Sequence, residues 1–176
     1  MKLKDIAVNS VFVTLIGLTS VNLVSMGFTK VNIYNSYSAP INYAVDSSPQ
    51  EAITQLTQVK EWMKSNKLTK GNTCVFVTSN PYCELNNFYE QRLNVSIAEL
   101  ETAIKTNDSI AMSNLSLKLN ERFMAKGSKE NEYVRMPNNL NLYMRYGSLL
   151  TLGWYIDALT WVVLFIGLIV LSSLTK

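Results

Sequence analysis

Asp157 is the residue with the clearest capacity for chemistry, because it is the only charged side chain between Gly147 and Leu174. An ionisable group at the centre of a membrane-spanning helix costs roughly 2.5–3.5 kcal/mol and is therefore normally kept for a function. Three interpretations stay open: an acid at the membrane surface, an acid that binds a partner, and a group that conducts ions or protons. Asn22 is its expected hydrogen-bond partner, since both residues are predicted in the outer half of a span.

Enzymatic chemistry is disfavoured by the residue types that the chain lacks. It has no histidine, the commonest general base and metal ligand, and its two cysteines could supply only half of a tetrahedral zinc site. Phosphate-binding glycine loops and nucleophile elbows are also missing from the sequence. The small net charge of +3 comes with no stripe of basic residues. We therefore predict no catalytic residues, no metal, no cofactor and no nucleic-acid partner.

Cys74 and Cys83 are predicted to form a structural disulfide. Free thiols and a redox pair are the alternatives, but redox-active pairs usually have two intervening residues. The bond would fasten a buried strand at 74–78 to the helix that follows. On loop-entropy grounds it would stabilise the fold by roughly 2–3 kcal/mol.

Two segments are predicted to cross a membrane: 6–28, which carries no charge, and 147–174, which carries only Asp157. Each is longer than the ~20 helical residues that a bilayer core requires. The first segment could instead be a cleaved signal peptide, but it is long for one and lacks a good cleavage site. We favour a retained anchor, with 1–5 and 175–176 as short cytoplasmic ends that leave no room for a cytoplasmic domain.

Polar side chains in the first predicted span indicate helix packing, and aromatic side chains near the second indicate a membrane interface. The first span is unusually polar, which predicts a helix partner across a face of small residues. Alternatively, its serines and threonines simply bond back to their own helix carbonyls. Aromatic residues near the second span are typical of an interfacial belt. The packing residues are Ser10, Thr14, Gly17, Ser20, Asn22 and Asp157, and the belt residues are Tyr143, Tyr146, Trp154 and Tyr155.

Topology follows from charge, loop length and the cysteine pair. Lys2, Lys4 and Lys176 favour cytoplasmic ends by the positive-inside rule, although Lys30 and Arg145 nearly balance them. Long loops translocate largely regardless of charge, and disulfides form outside the cytoplasm. We therefore expect an inner or plasma membrane protein whose region 29–146 is extracytoplasmic, and periplasmic in a Gram-negative bacterium.

The central region is predicted to be mainly helical with minor β content. Short strands or extended loops are expected within 31–45, a capped helix from Pro49 to about Ser65, and a linker over 126–138. Two amphipathic helices separated by 106–108 should form an antiparallel hairpin. The hairpin residues predicted to face a partner are Tyr89, Leu93, Leu100, Leu115, Leu119 and Phe123.

The predicted architecture is thus a mainly α membrane protein with two transmembrane helices flanking an extracytoplasmic helical-hairpin domain. The expected function is that of a non-enzymatic subunit, which joins other membrane proteins or copies of itself in the bilayer and presents its domain to a partner. One alternative is a sensor with a periplasmic ligand-binding domain that signals through a separate protein. Another is a small homo-oligomeric pore-forming or lysis-control protein.

Overall fold

The computed structural model describes residues 3–76, 80–126, 132–147 and 149–174, with side chains from residue 13 to residue 167 apart from Ser109. The structure is mainly α-helical with one small antiparallel sheet. The helices are α1 (Leu3–Ile33), α2 (Ala39–Asp46), α3 (Pro49–Ser65), α4 (Val95–Thr106), α5 (Ser109–Phe123), α6 (Leu140–Tyr146) and α7 (Leu150–Leu174). Strands β1 (Met124–Lys126) and β2 (Glu132–Val134) form the sheet.

The chain divides into two compact units. The first, called the helical unit, comprises residues 1–30 and 141–176, and therefore holds most of α1, most of α6 and all of α7. The second, called the central unit, comprises residues 31–140. The predicted terminal residues Lys2 and Lys176 lie outside the described residues.

Helix α7 is the one helix in the described part of the chain that is long and apolar enough to cross a membrane, judged by length and composition. Its candidate span is Leu150–Gly167, which supports the predicted second span on that criterion. Helix α1 is 31 residues long, and its described part gives no second candidate by the same criterion. The first predicted span, 6–28, starts in residues whose side chains lie outside the described part of the chain, so it stays a prediction.

The prediction of short strands within 31–45 is wrong. Helix α1 continues to Ile33, a π-helical turn follows at Tyr34–Ser38, and α2 begins at Ala39. Pro40 lies in the first turn of α2, directly after the π-helical turn, and it has no backbone N–H to donate to the preceding helical turn. Buried Ile33, Tyr37 and Ile41 recur at four-residue steps, so helical burial outweighs the β preference of these side chains.

Helix α3 is confirmed as predicted from Pro49 to Ser65. The Ser48 side chain accepts a hydrogen bond from the Glu51 backbone N–H, and the Glu51 carboxylate reaches back to the Ser48 N–H. This capping box satisfies two donors that a helix start leaves open. The buried face of α3 includes Leu56, Val59 and Met63.

The disulfide between Cys74 and Cys83 is present, with a Cα–Cα distance of 5.3 Å. It joins an irregular loop to a 3₁₀ turn at Pro81–Cys83. Cys74 lies in this loop and not in the strand that was predicted there. The Asn72 side chain accepts from the Cys74 backbone N–H at 2.8 Å, and such a local turn competes with strand pairing. The last predicted strand residues, Val77 and Thr78, lie outside the described residues.

The second predicted helix begins later than Pro81. After the 3₁₀ turn the chain is π-helical over Asn87–Asn94 and continues as α4, which ends at Thr106. Helix α5 starts as predicted after Asp108, whose carboxylate caps the N–H groups of Ile110 and Ala111.

Helices α4 and α5 form the predicted antiparallel hairpin. Near the start of α4, Glu99 receives two hydrogen bonds, of 2.8 and 2.9 Å, from Arg122 at the end of α5. Arg122 also donates to Ser96 at 3.1 Å. These contacts join opposite ends of the two helices in sequence, as antiparallel packing requires.

The six hairpin residues predicted to face a partner face the interior of the central unit instead. All are buried in the core of the central unit: Tyr89, Leu93, Leu100, Leu115, Leu119 and Phe123. Their helical spacing identified one apolar face, and the chain's own α2, α3 and sheet cover that face. Any partner must therefore contact other residues of the central unit.

The sheet lies where the linker over 126–138 was predicted. Strands β1 and β2 pair in an antiparallel register that sets Met124 opposite Val134. Both of these residues are buried, so each strand adds an apolar side chain to the core. The minor β content is thus present at a different place in the chain, and 127–131 lie outside the described residues.

Candidate functional site

Five polar side chains meet inside the helical unit and form the polar cluster. Asn22 comes from α1, Arg145 and Tyr146 come from the end of α6, and Asp157 and Thr160 come from α7. Asp157 and Thr160 are three residues apart and therefore share one face of their helix.

The turn between α6 and α7 positions Arg145 and Tyr146. Gly147 has a φ of +56°, the left-handed conformation that commonly ends a helix and that glycine adopts without strain. The Tyr146 ring then lies on the backbone of α7 at Gly153. A Cβ at Gly153 would collide with this ring, so the close approach requires glycine there.

A two-point ion pair is the strongest contact of the polar cluster. Arg145 Nη1 donates to Asp157 Oδ2 at 2.8 Å, and Arg145 Nη2 donates to Asp157 Oδ1 at 2.9 Å. The side chains of Arg145 and Asp157 are only 5% and 15% exposed. Such bidentate pairs are among the strongest hydrogen bonds in proteins, because both partners are charged and the geometry is fixed.

Asn22 connects this ion pair to α1. Its amide Nδ2 donates to Asp157 Oδ1 at 3.2 Å and to Thr160 Oγ1 at 2.8 Å. Its carbonyl oxygen accepts from Arg145 Nη2. The hydrogen bond predicted from sequence between Asn22 and Asp157 is therefore present, as part of a larger network.

Tyr146 completes the network as a neutral donor. Its hydroxyl accepts from Arg145 Nη2 at 2.7 Å and lies 3.1 Å from the Asn22 carbonyl oxygen and 3.2 Å from Asp157 Oδ1. Burial raises the pKa of the Tyr146 phenol; Arg145 lowers it and Asp157 raises it again, and the net direction is upward. The hydroxyl therefore keeps its proton at physiological pH.

The polar cluster has the properties of a structural network that holds helices together. Arg145 and Asp157 neutralise one another, and Asn22 uses both its amide atoms within the cluster. The Thr160 hydroxyl accepts from Asn22 and donates to the Ile156 carbonyl of its own helix at 2.9 Å. Of the cluster's described side-chain polar atoms, only Arg145 Nε is buried without a hydrogen-bond partner. The network joins three helices, and breaking a buried pair of this kind typically costs 3–5 kcal/mol.

The predicted packing stripe of α1 faces away from the polar cluster. Thr14, Gly17 and Ser20 are exposed, and nothing lies within 4 Å of a Cβ placed at Gly17. The Ser20 hydroxyl donates to the Ile16 carbonyl at 2.8 Å, as the alternative interpretation of a polar helix expects. The Ser10 side chain lies outside the described residues.

The four residues of the predicted interfacial belt differ in exposure. Trp154 and Tyr155 are exposed on α7, with ring centroids 5.2 Å apart in an edge-on arrangement. Tyr143 is half-buried on α6, and the Tyr146 hydroxyl belongs to the polar cluster. The belt stays a prediction for Trp154 and Tyr155, while Tyr146 has an additional structural role.

Sequence reasoning missed Arg145 and Thr160. Arg145 was considered only as a charge flanking the span, although it is the nearest basic residue to Asp157 along the chain. The signal was Gly147, whose left-handed backbone ends α6 and lets the chain turn before α7. Thr160 carried the weaker signal of helical spacing from Asp157.

The described residues contain no group of three or more side chains arranged to hold a metal ion. Comparisons with protein-family models, with curated proteins and with solved structures found no match to this chain.

Proposed function

We propose that the chain is a non-enzymatic two-pass membrane subunit that assembles with other membrane proteins and presents its central unit to an extracytoplasmic partner. Residues 6–28 and 147–174 would cross the inner or plasma membrane, both ends would be cytoplasmic, and 29–146 would lie outside. The polar cluster is the observation that carries the proposal. A buried charged pair that Asn22 links to α1 is the kind of arrangement by which a membrane protein hides ionisable groups from lipid.

Exposed apolar side chains on α1 and α7 support a membrane location. Val21 and Phe28 on α1 are 70% and 74% exposed, and Phe165 on α7 is 66% exposed. Continuous apolar surface of this kind marks contact with lipid or with another protein. The disulfide adds weight, because such bonds persist outside the reducing cytoplasm.

The uncovered face of α1 favours assembly with a further helix. Gly17 and Ser20 share this face with Val21, Val24 and Phe28, since they recur at three- and four-residue steps. Small residues within an apolar face let a second helix approach closely in the bilayer. The opposite face of α1 is already used by Thr19 and Asn22, which are buried or half-buried.

Purification of the intact complex in mild detergent tests this proposal. Companion subunits of different sequence at a fixed ratio are the expected result. A large ring of identical chains would contradict it in favour of a pore, and a monomer or dimer carrying a small ligand would contradict it in favour of a sensor.

A glycine variant makes the same experiment specific to α1. Gly17→Leu should release the companion subunits, and the thermal stability of the chain itself should stay unchanged because the added side chain meets open space. Gly167→Leu is the matched control, since nothing lies within 4 Å of a Cβ at Gly167 either, and this residue belongs to α7 rather than to the uncovered face of α1.

A further inference from the structure

The central unit contains a groove of about 730 Å³. Its walls come from the π-helical turn before α2, from α2 itself, from the start of α3 and from β2. We call it the tyrosine–carboxylate groove after the side chains that line it: Tyr34, Tyr43, Tyr133, Asp46, Glu51 and Glu132.

The three tyrosines of the groove are each more than half exposed. Tyr34 is 64% exposed, and Tyr43 and Tyr133 are each 56% exposed. Met136, which also lines the groove, is exposed as well. Aromatic residues and methionine are enriched in protein–protein interfaces, and each tyrosine ring offers an electron-rich face.

The charge of the groove has a single sign. Among the described residues that line it there are three carboxylates and no lysine or arginine. Glu51 is partly engaged in the capping box with Ser48. Within the described chain, Asp46 and Glu132 form no ion pair, although Lys126 lies opposite Glu132 in the strand register.

We propose that the tyrosine–carboxylate groove binds an extended segment of a partner protein that carries arginine or lysine side chains. The carboxylates of Asp46 and Glu132 attract the cation, and the tyrosine faces receive it by cation–π contact. Arginine suits the groove best, because its planar guanidinium both stacks on aromatic rings and pairs with carboxylates in two-point geometry.

A polypeptide segment fits the groove better than a small organic cation does. Small-molecule sites usually enclose 70–90% or more of their ligand. The three tyrosines instead lie more than half exposed along an open groove, so they would leave a small cation largely in water. An extended segment gains contacts with several of them at once.

The inference deepens the proposed function, since it names the face of the central unit that meets the partner. The proposal that the groove binds a basic segment rests on the proposed subunit function only for the identity of the partner protein. Peptide binding to the purified chain and subunit assembly in the membrane are separate measurements, so one can fail while the other succeeds.

Fluorescence anisotropy with a short labelled peptide of alternating arginine and alanine tests the proposal on the full chain in detergent. The peptide should bind, and binding should weaken as salt rises. The double variant Asp46→Asn with Glu132→Gln should weaken it by roughly fivefold, as expected for two exposed charges. Tyr43→Leu keeps the apolar contact but removes the aromatic face, and should cost about threefold.

Matched controls make the outcome decisive. Glu101→Gln with Glu121→Gln removes the same charge from exposed sites outside the groove and should leave binding unchanged. Equal binding of a citrulline peptide, equal loss in the control variant, or no binding of the arginine peptide would each overturn the proposal. Binding of arginine amide as tightly as of the peptide would overturn it in favour of a small-cation site.

Discussion

Arg145 and Asp157 depend on one another, because each would be a nearly buried charge without its partner. Removal of one member of such a pair leaves the other uncompensated, whereas replacement of both by apolar side chains is often neutral or stabilising. The difference in stability between single and double replacements therefore distinguishes a structural ion pair from an acid that binds a ligand.

Asp157→Asn should lower the free energy of unfolding in detergent by about 3–5 kcal/mol, since the guanidinium of Arg145 then has no counter-charge. Arg145→Met should have a similar effect. The combination Asp157→Leu with Arg145→Met should recover most of the loss, which thermal unfolding of the four proteins would measure. A double variant as unstable as the sum of the single variants would contradict the account of the pair.

Gly153→Ala should destabilise the helical unit by about 1–3 kcal/mol, because the added methyl group collides with the Tyr146 ring and overpacks the contact. Gly167→Ala is the matched control on the same helix, where nothing lies within 4 Å of an added Cβ. Unfolding curves of the two variants give the comparison. Equal stability of both would show that the ring does not depend on the glycine.

At the residue scale, the sequence identified Asp157 and Asn22 because polar groups in apolar segments must find partners. It did not identify Arg145 as the counter-ion, because that contact spans a turn at Gly147. Spacing along one helix is visible in a sequence, whereas contacts across a turn depend on backbone geometry.

At the element scale, Glu99 and Arg122 hold the hairpin of α4 and α5 together. Hydrogen bonding to Arg122 holds the pKa of Glu99 below its ordinary value near 4.5, although partial burial opposes the shift. A carboxyl whose pKa is lower in the folded state stabilises the fold above its unfolded-state value. This contribution is lost as the pH falls through the folded-state pKa.

Glu99→Gln should therefore destabilise the protein at about pH 7, and the difference from the unmodified chain should shrink as the pH falls below about 4.5. Chemical unfolding at a series of pH values measures this difference. Glu101→Gln, an exposed neighbour on α4, should show little effect at any pH. A stability difference for Glu99→Gln that stays constant down to low pH would contradict the role of the ion pair.

The elements that the sequence predicts well are those with local signals. Helices α3 and α5 have side-chain caps at Ser48 and Asp108, which fix their starts. The segment 31–45 was mispredicted because its apolar residues favour strands, while burial in the core of the central unit makes them helical. The sheet was missed because each strand has only three residues.

At the scale of the whole molecule, α7 supplies the composition of a membrane span and the polar cluster supplies a reason for α1 to accompany it. The account therefore depends on a two-pass topology with the central unit outside. Single added cysteines can report this directly, because the two native cysteines are bonded to one another and the described chain contains no free thiol.

The most direct test is labelling of spheroplasts of a Gram-negative host with a membrane-impermeant maleimide. Thr57→Cys, on the exposed face of α3, should react in intact spheroplasts, whereas Lys2→Cys should react only after permeabilisation. Protection of Thr57→Cys until the membrane is opened would contradict an extracytoplasmic central unit. Reaction of both cysteines in intact spheroplasts would contradict a two-pass topology with cytoplasmic ends.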